Sequence, residues 1–121
     1  MKTESLIKLL NEHKVRYVII GAIAVIAHGH ARLTKDVDFA VDPAEENIKK
    51  TLQALKEFGY DISDVTVKEA QEKKLLFRQY VLETDIHPTV KGISFEQLWA
   101  NRFECQFRGE KAYFASIDDL I

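Results

Sequence analysis

The chain has 121 residues, 46% of them hydrophobic, which is enough for one domain with its own core and excludes a need for disulfides or a structural metal. Its 17 basic and 19 acidic residues leave a formal net charge of −2, so nothing global favours nucleic acid as a partner. No apolar run approaches the roughly 20 residues that span a bilayer, and Cys105 is the only cysteine, so we expect a single cytoplasmic domain over residues 1–121 with no membrane contact.

The N-terminal part of the chain predicts a helix, a buried strand and a second helix. Apolar side chains recur at helical spacing from Thr3 to about His13, with Thr3 as the expected N-cap. The β-branched run from Tyr17 to Ile20 is typical of a central strand. Gly21 ends this strand, and a helix is expected from Ala22 to about His28. Such a turn lets backbone N–H groups approach a triphosphate, so Gly21 and Ala22 are candidate phosphate-binding residues.

Two acids lie on the polar face of the next predicted strand. Apolar and polar residues alternate from Asp36 to Val41, which places Asp36 and Asp38 on the same side. Carboxylates two residues apart in a strand are roughly 6–7 Å apart and can grip one metal ion or bridge two. Hard oxygen ligands favour Mg²⁺ or Mn²⁺ over zinc.

The rest of the chain alternates between helix and strand. Expected are a helix starting at Asp42-Pro43 and ending near Gly59, a charged helix from Val67 to Lys74, strand structure from Leu75 to His87, a short helix after Ser94, and a hairpin turned at Arg108-Gly109. Whether residues 75–87 form one bent strand or a tight hairpin around Leu82 to Thr84 stays open. The pattern predicts an α/β (α+β) domain in which helices flank a mixed β-sheet.

A third carboxylate on a neighbouring strand would complete such a metal site, and Asp85 is the candidate. His87 follows two residues later and shares its face. It can support Asp85 by a hydrogen bond, although an ordinary histidine at a strand end is the more common case. His28 and His30 lack a third ligand and are not expected to bind metal. Phe95, Trp99 and Phe103 are expected to pack in the core rather than to stack on a base.

One stretch resembles the signature of the nucleotidyltransferase (polymerase-β-like) superfamily, and its small prokaryotic members in particular. The matching residues run Gly21-Ala22-x-Ala24-x-x-x-His28-Gly29-x-x-Arg32-x-Thr34-x-Asp36-Val37-Asp38-Phe39, and the similarity continues through Thr84-Asp85-Ile86-His87 to the end of the chain. Those members include minimal nucleotidyltransferases and abortive-infection-type toxins. The resemblance implies the nucleotidyltransferase fold, and relatives usually continue the helix that begins at Ser116, so we expect the C-terminal helix to be shortened.

The resemblance also implies an activity and a role for each site residue. The expected reaction is metal-dependent transfer of a nucleoside monophosphate from an NTP to a hydroxyl of a protein, a tRNA or a small molecule. Asp36, Asp38 and Asp85 would be catalytic and bind Mg²⁺ or Mn²⁺, with Asp85 the candidate base. Gly21 and Ala22 would hold the phosphates, and Arg32 and Thr34 would add phosphate contacts.

An alternative is a binding module that keeps the fold, has lost turnover and acts through a protein partner, as one half of a toxin–antitoxin pair. Ala22 favours it, because the family usually has Gly or Ser at that position. The intact Asp36, Asp38 and Asp85 favour the enzyme.

Overall fold

The computed structural model describes residues 2–21, 36–79 and 82–120, and the fold is built from these ranges. They form helices α1 (Thr3–Glu12), α2 (Glu45–Phe58), α3 (Val67–Glu72) and α4 (Phe95–Ala100), strands β1 (Tyr17–Ile20), β2 (Asp36–Val41), β3 (Leu75–Phe77), β4 (Glu83–His87), β5 (Phe103–Phe107) and β6 (Glu110–Phe114), and a 3₁₀ turn over Asp118–Leu120. The helix expected from Ala22 to His28 lies outside the described residues. No helix in the described ranges is long and apolar enough to cross a membrane.

The strands form one mixed sheet in the order β3-β4-β2-β1-β6-β5. β1 pairs antiparallel with β2 and parallel with β6, while β2 pairs parallel with β4. β3 and β5 are the two outer strands, each antiparallel to its neighbour. The predicted α+β architecture with a mixed sheet flanked by helices is confirmed.

The two faces of the sheet bury different sets of side chains, because successive residues of a strand point to opposite sides. On one face Tyr17, Ile19 and Phe39 belong to the main core cluster, which also contains buried residues of α1 and α2. On the other face Val18 and Ala40 form a smaller cluster with Leu98 of α4 and Ala115. Asp38 lies two residues before Ala40 and therefore on the face of this smaller cluster.

The helix starts differ in part from the prediction. Thr3 is the first helical residue rather than the cap, since Lys2 is the N-cap of α1 and makes no side-chain capping bond. Asp42 does not cap α2 either: its Oδ1 accepts from the N–H of Ala44 at 3.0 Å, and Ala44 is the N-cap. The expected cap at Ser94 is confirmed, because its hydroxyl accepts from the N–H of Gln97 at 3.1 Å.

β3 and β4 pair antiparallel as a hairpin, so the alternative of one bent strand is wrong, and Glu83 and Thr84, which were expected in the turn, belong to β4. Leu75, Leu76 and Phe77 of β3 lie opposite Ile86, Asp85 and Thr84 of β4. The helix predicted up to Lys74 ends earlier, at Glu72, because the backbone is already extended at Lys73, with φ −126° and ψ 146°. β4 is thereby held between β3 and β2, and this pairing sets the position of Asp85.

Candidate functional site

Asp38 and Asp85 lie side by side on two parallel strands. The register of β2 and β4 pairs Asp38 with Asp85, and Ala40 with His87. Residues at one register position of neighbouring strands point to the same face, so both carboxylates project from the face that carries the smaller core cluster. Of the three predicted acids, these are the two that the described structure brings into one cluster.

His87 joins the two carboxylates. One ligand atom from each of Asp38, Asp85 and His87 lies within 4.8 Å of the others. His87 Nε2 is 2.9 Å from Asp38 Oδ1, so this histidine does hydrogen-bond an acid, and its partner is Asp38 on the neighbouring strand. The side chains are about one-fifth to one-quarter exposed, at 18% for His87 and 26% for Asp38, which leaves access for a ligand.

Arg78 is a residue of this site that the sequence did not single out. Its Nη1 donates to Asp85 Oδ1 at 2.6 Å, and its Nε lies 3.5 Å from Glu83 Oε2. The hydrogen bond to Asp85 raises the pKa of the Arg78 guanidinium, and the nearby charges of Asp85, Glu83 and Asp36 raise it further. The guanidinium therefore serves as counter-ion to the acids of β2 and β4. Only the hairpin register places it there.

Gly21 lies directly against the carboxylate of Asp38. Its φ is +79°, and a Cβ at this position would lie 2.7 Å from Asp38 Oδ2. The backbone conformation and the close contact both require glycine. Gly21, the residue that follows β1, is thereby packed against the acid of β2.

Asp36 lies apart from the cluster. It is exposed at the start of β2, on the same face as Asp38, and is paired in register with Glu83 rather than with Asp85. It is near enough to Arg78 for its charge to raise the pKa of that residue. The predicted nucleotide-binding residues Ala22, Arg32 and Thr34 lie outside the described residues.

The donor set fits a divalent cation. One ligand atom from each of Asp38, Asp85 and His87 lies within 4.8 Å of the other two, and divalent transition metals accept carboxylate oxygen together with imidazole nitrogen. Arg78 and His87 are the hydrogen-bonding partners of the two carboxylates.

The aromatic residues of α4 serve packing, as predicted. Phe95 and Trp99 stack with ring centroids 5.9 Å apart, and both pack against the smaller core cluster. The guanidinium of Arg102 lies 3.8 Å from the centroid of the Trp99 ring. Phe103 is different, since 39% of it is exposed at the outer strand β5.

Comparisons with known proteins give a fold and no close relative. No family model matches the sequence, and no curated protein matches it at a significant level. The crystal structure of a lincosamide antibiotic adenylyltransferase with lincomycin bound superimposes with a TM-score of 0.64, at 18% sequence identity, over 99% of this chain and 84% of that one. At this sequence identity the structural similarity establishes a shared fold and not a shared activity. The chain therefore has the fold of a nucleotidyltransferase, as its sequence signature predicted.

Proposed function

We propose that this protein is a metal-dependent nucleotidyltransferase that transfers a nucleoside monophosphate from an NTP to a hydroxyl group and releases pyrophosphate. The observation that carries the proposal is the pairing of Asp38 with Asp85 on parallel strands, beside the glycine turn that follows β1. The adenylyltransferase fold of the solved relative supports it. The reaction would take place in the cytoplasm.

Each residue has a role in this reaction. Asp38 and Asp85 would hold the cation, which would supply neutralisation of the negative charge on the triphosphate and on the leaving pyrophosphate. The acceptor oxygen attacks the α-phosphorus, the bond between the α-phosphorus and the bridging oxygen to the β-phosphate breaks, and the hydroxyl proton passes to a carboxylate, for which Asp85 is the candidate. Asp36, which lies on the same face but outside the cluster, would supply a further ligand. Gly21, with Ala22, Arg32 and Thr34, binds the phosphates.

The acceptor is the open part of the proposal. The solved relative is a lincosamide antibiotic adenylyltransferase, so a hydroxylated antibiotic of that class belongs in the first panel of acceptors. A protein side-chain hydroxyl and the end of a tRNA complete the panel, and the net charge of −2 makes RNA the less favoured choice.

The first test is calorimetric titration of the four nucleoside triphosphates with Mg²⁺ or Mn²⁺ into the wild type and into Asp38→Asn and Asp85→Asn. We expect metal-dependent binding in the wild type and at least a roughly ten-fold loss of affinity in each variant, because each change removes a charged ligand. Asp64→Asn, at an exposed aspartate between α2 and α3, is the matched control and should bind like the wild type.

Turnover is then followed with NTP labelled in the α-phosphate, with release of pyrophosphate as the second readout. Transfer of the label to an acceptor supports the enzyme. Metal-dependent binding without transfer to any of the acceptors would favour the non-catalytic module that acts through a protein partner. Binding that is unchanged in both Asn variants, or absent from the wild type, contradicts the proposed site.

A further inference from the structure

We propose that His87 is a third ligand of the metal centre and that the centre therefore selects a first-row transition metal such as Mn²⁺ over Mg²⁺. The inference rests on the metal-dependent activity proposed above and goes beyond it, because the three acids expected from the sequence would form an all-oxygen site. The observed cluster consists of Asp38, Asp85 and His87, and Asp36 is not part of it.

The fold places the imidazole where it can bind a metal. His87 lies opposite Ala40 in the register of β4 and β2, and Asp85 lies opposite Asp38. The small side chain of Ala40 leaves room for the imidazole to reach diagonally across to β2, where Nε2 meets Asp38 Oδ1 at 2.9 Å. That nitrogen faces the two carboxylates, so a cation bound between them would meet it without a change of backbone.

The chemistry of the donor atoms then sets the preference. Mg²⁺ binds oxygen almost exclusively and parts with its water reluctantly, whereas first-row transition metals accept imidazole nitrogen together with carboxylate oxygen. Affinity of such a site rises from Mn²⁺ towards copper, so Mn²⁺ is the conservative probe in this series. An imidazole that bonds to Mn²⁺ and hardly to Mg²⁺ raises the affinity of the site for Mn²⁺ relative to Mg²⁺.

The test is binding of Mn²⁺ to the full chain without nucleotide, measured by electron paramagnetic resonance, with Mg²⁺ as competitor. We expect His87→Asn to weaken Mn²⁺ binding by about ten-fold or more and to leave Mg²⁺ binding nearly unchanged. His13→Asn is the matched control, because His13 Nε2 also meets a carboxylate, at 2.6 Å from Glu57 Oε2, and does not belong to the cluster. It should bind both ions like the wild type.

Pulsed resonance on bound Mn²⁺ gives a readout that does not depend on any variant folding correctly. Modulation from a directly bonded ¹⁴N nucleus is expected in the wild type and in His13→Asn, and should be lost in His87→Asn. No nitrogen modulation in the wild type, an equal loss of Mn²⁺ and Mg²⁺ affinity in His87→Asn, or no Mn²⁺ binding at all would each overturn the assignment. In the first two cases His87 would act only by orienting Asp38.

The failure of this inference differs from the failure of the proposed function. Nucleotidyl transfer that runs on Mg²⁺ with no nitrogen signal from bound Mn²⁺ removes His87 as a ligand and keeps the enzyme. A nitrogen signal from bound Mn²⁺ without transfer keeps the metal centre and removes the proposed reaction.

Discussion

At Gly21 two separate costs of adding a side chain can be told apart by experiment. We expect Gly21→Ala to lower the free energy of unfolding by about 1–3 kcal/mol, because alanine is strained at positive φ. It should also weaken Mn²⁺ binding, since the new Cβ would lie 2.7 Å from Asp38 Oδ2 and push that carboxylate away. Urea denaturation measures the first effect, and a Mn²⁺ titration measures the second.

Gly92→Ala is the matched control for this change. Gly92 has φ +85°, close to the +79° of Gly21, but a Cβ there would meet nothing within 4 Å. It should therefore lose stability for the same backbone reason and bind Mn²⁺ like the wild type. Equal metal affinity in both variants would show that the contact between Gly21 and Asp38 does not shape the site.

Under the proposed function, Arg78 would compete with a metal ion for Asp85, and the direction of the effect of removing Arg78 can be tested. We expect Arg78→Gln to bind Mn²⁺ several-fold more tightly than the wild type in the absence of nucleotide, because the guanidinium that donates to Asp85 Oδ1 at 2.6 Å is removed. If Arg78 instead served mainly to orient Asp85, its loss would weaken metal binding. A Mn²⁺ titration therefore separates the two roles by the direction of the change.

Arg16→Gln provides the comparison for Arg78→Gln. The Arg16 side chain is 36% exposed against 44% for Arg78, and it too meets two carboxylates, at 2.7 Å from Asp42 and 3.1 Å from Glu96. It precedes β1, whereas the site lies beyond the other end of that strand, where Ile20 pairs with Asp38. The Mn²⁺ affinity of Arg16→Gln should therefore equal that of the wild type.

Among the elements, β1 and β2 could be predicted with their observed bounds, because the evidence for them is local. The run Tyr17–Ile20 is apolar and β-branched, and Asp36–Val41 alternates with a period of two. α2 ends at Phe58, near Gly59 as predicted, and Gly59 is its C-cap with φ of 117°, a conformation that commonly ends a helix. Each of these patterns is complete within a few residues.

The β3–β4 hairpin could not be chosen from the sequence, since its evidence is not local. β3 has three residues, and the segment 78–82 that joins it to β4 contains neither glycine nor proline to mark a turn. The pairing of β3 with β4 decides the matter. Arg78 was missed for the same reason, because only the hairpin brings it to Asp85.

Part of the candidate site could be predicted from the sequence. The pattern places Asp36 and Asp38 on one face of β2, and this arrangement is observed. The sequence pattern does not determine the register of β2 and β4, which places Asp85 beside Asp38 and Glu83 beside Asp36. If β4 were shifted by two residues, Asp85 would lie beside Asp36 instead of Asp38. The composition of the cluster therefore depends on tertiary pairing.

At the scale of the whole molecule, the main core and the candidate site lie on opposite faces of the sheet. The face with Tyr17 and Phe39 holds the main core, with α1 and α2 packed on it. The opposite face carries Asp38 and Asp85 beside a smaller apolar cluster that includes Leu98 of α4. Changes to the carboxylates should therefore alter ligand binding with little loss of the core.

Tyr17 makes the main core sensitive to alkaline pH. Its side chain is fully buried, its hydroxyl donates to Asn11 Oδ1 at 2.9 Å, and burial raises its pKa well above the ordinary value. Above a pH of about 10 the unfolded chain loses this proton while the folded chain keeps it. The free energy of unfolding therefore falls. The contribution of Tyr17 to stability is complete below that pH, and falls by about 1.4 kcal/mol per pH unit above it.

Tyr17→Phe isolates this effect in urea denaturation measured from about pH 8 to 11. Near pH 8 the variant should be about 1 kcal/mol less stable, since Asn11 Oδ1 loses its donor. The difference should shrink above about pH 10 and vanish near pH 11, because only the wild type has to keep a buried phenol protonated. Titration of the lysines and the other tyrosines is common to both proteins and largely cancels in the difference. A gap that stays constant over the whole range would mean that Tyr17 ionises in the folded core as readily as in the unfolded chain.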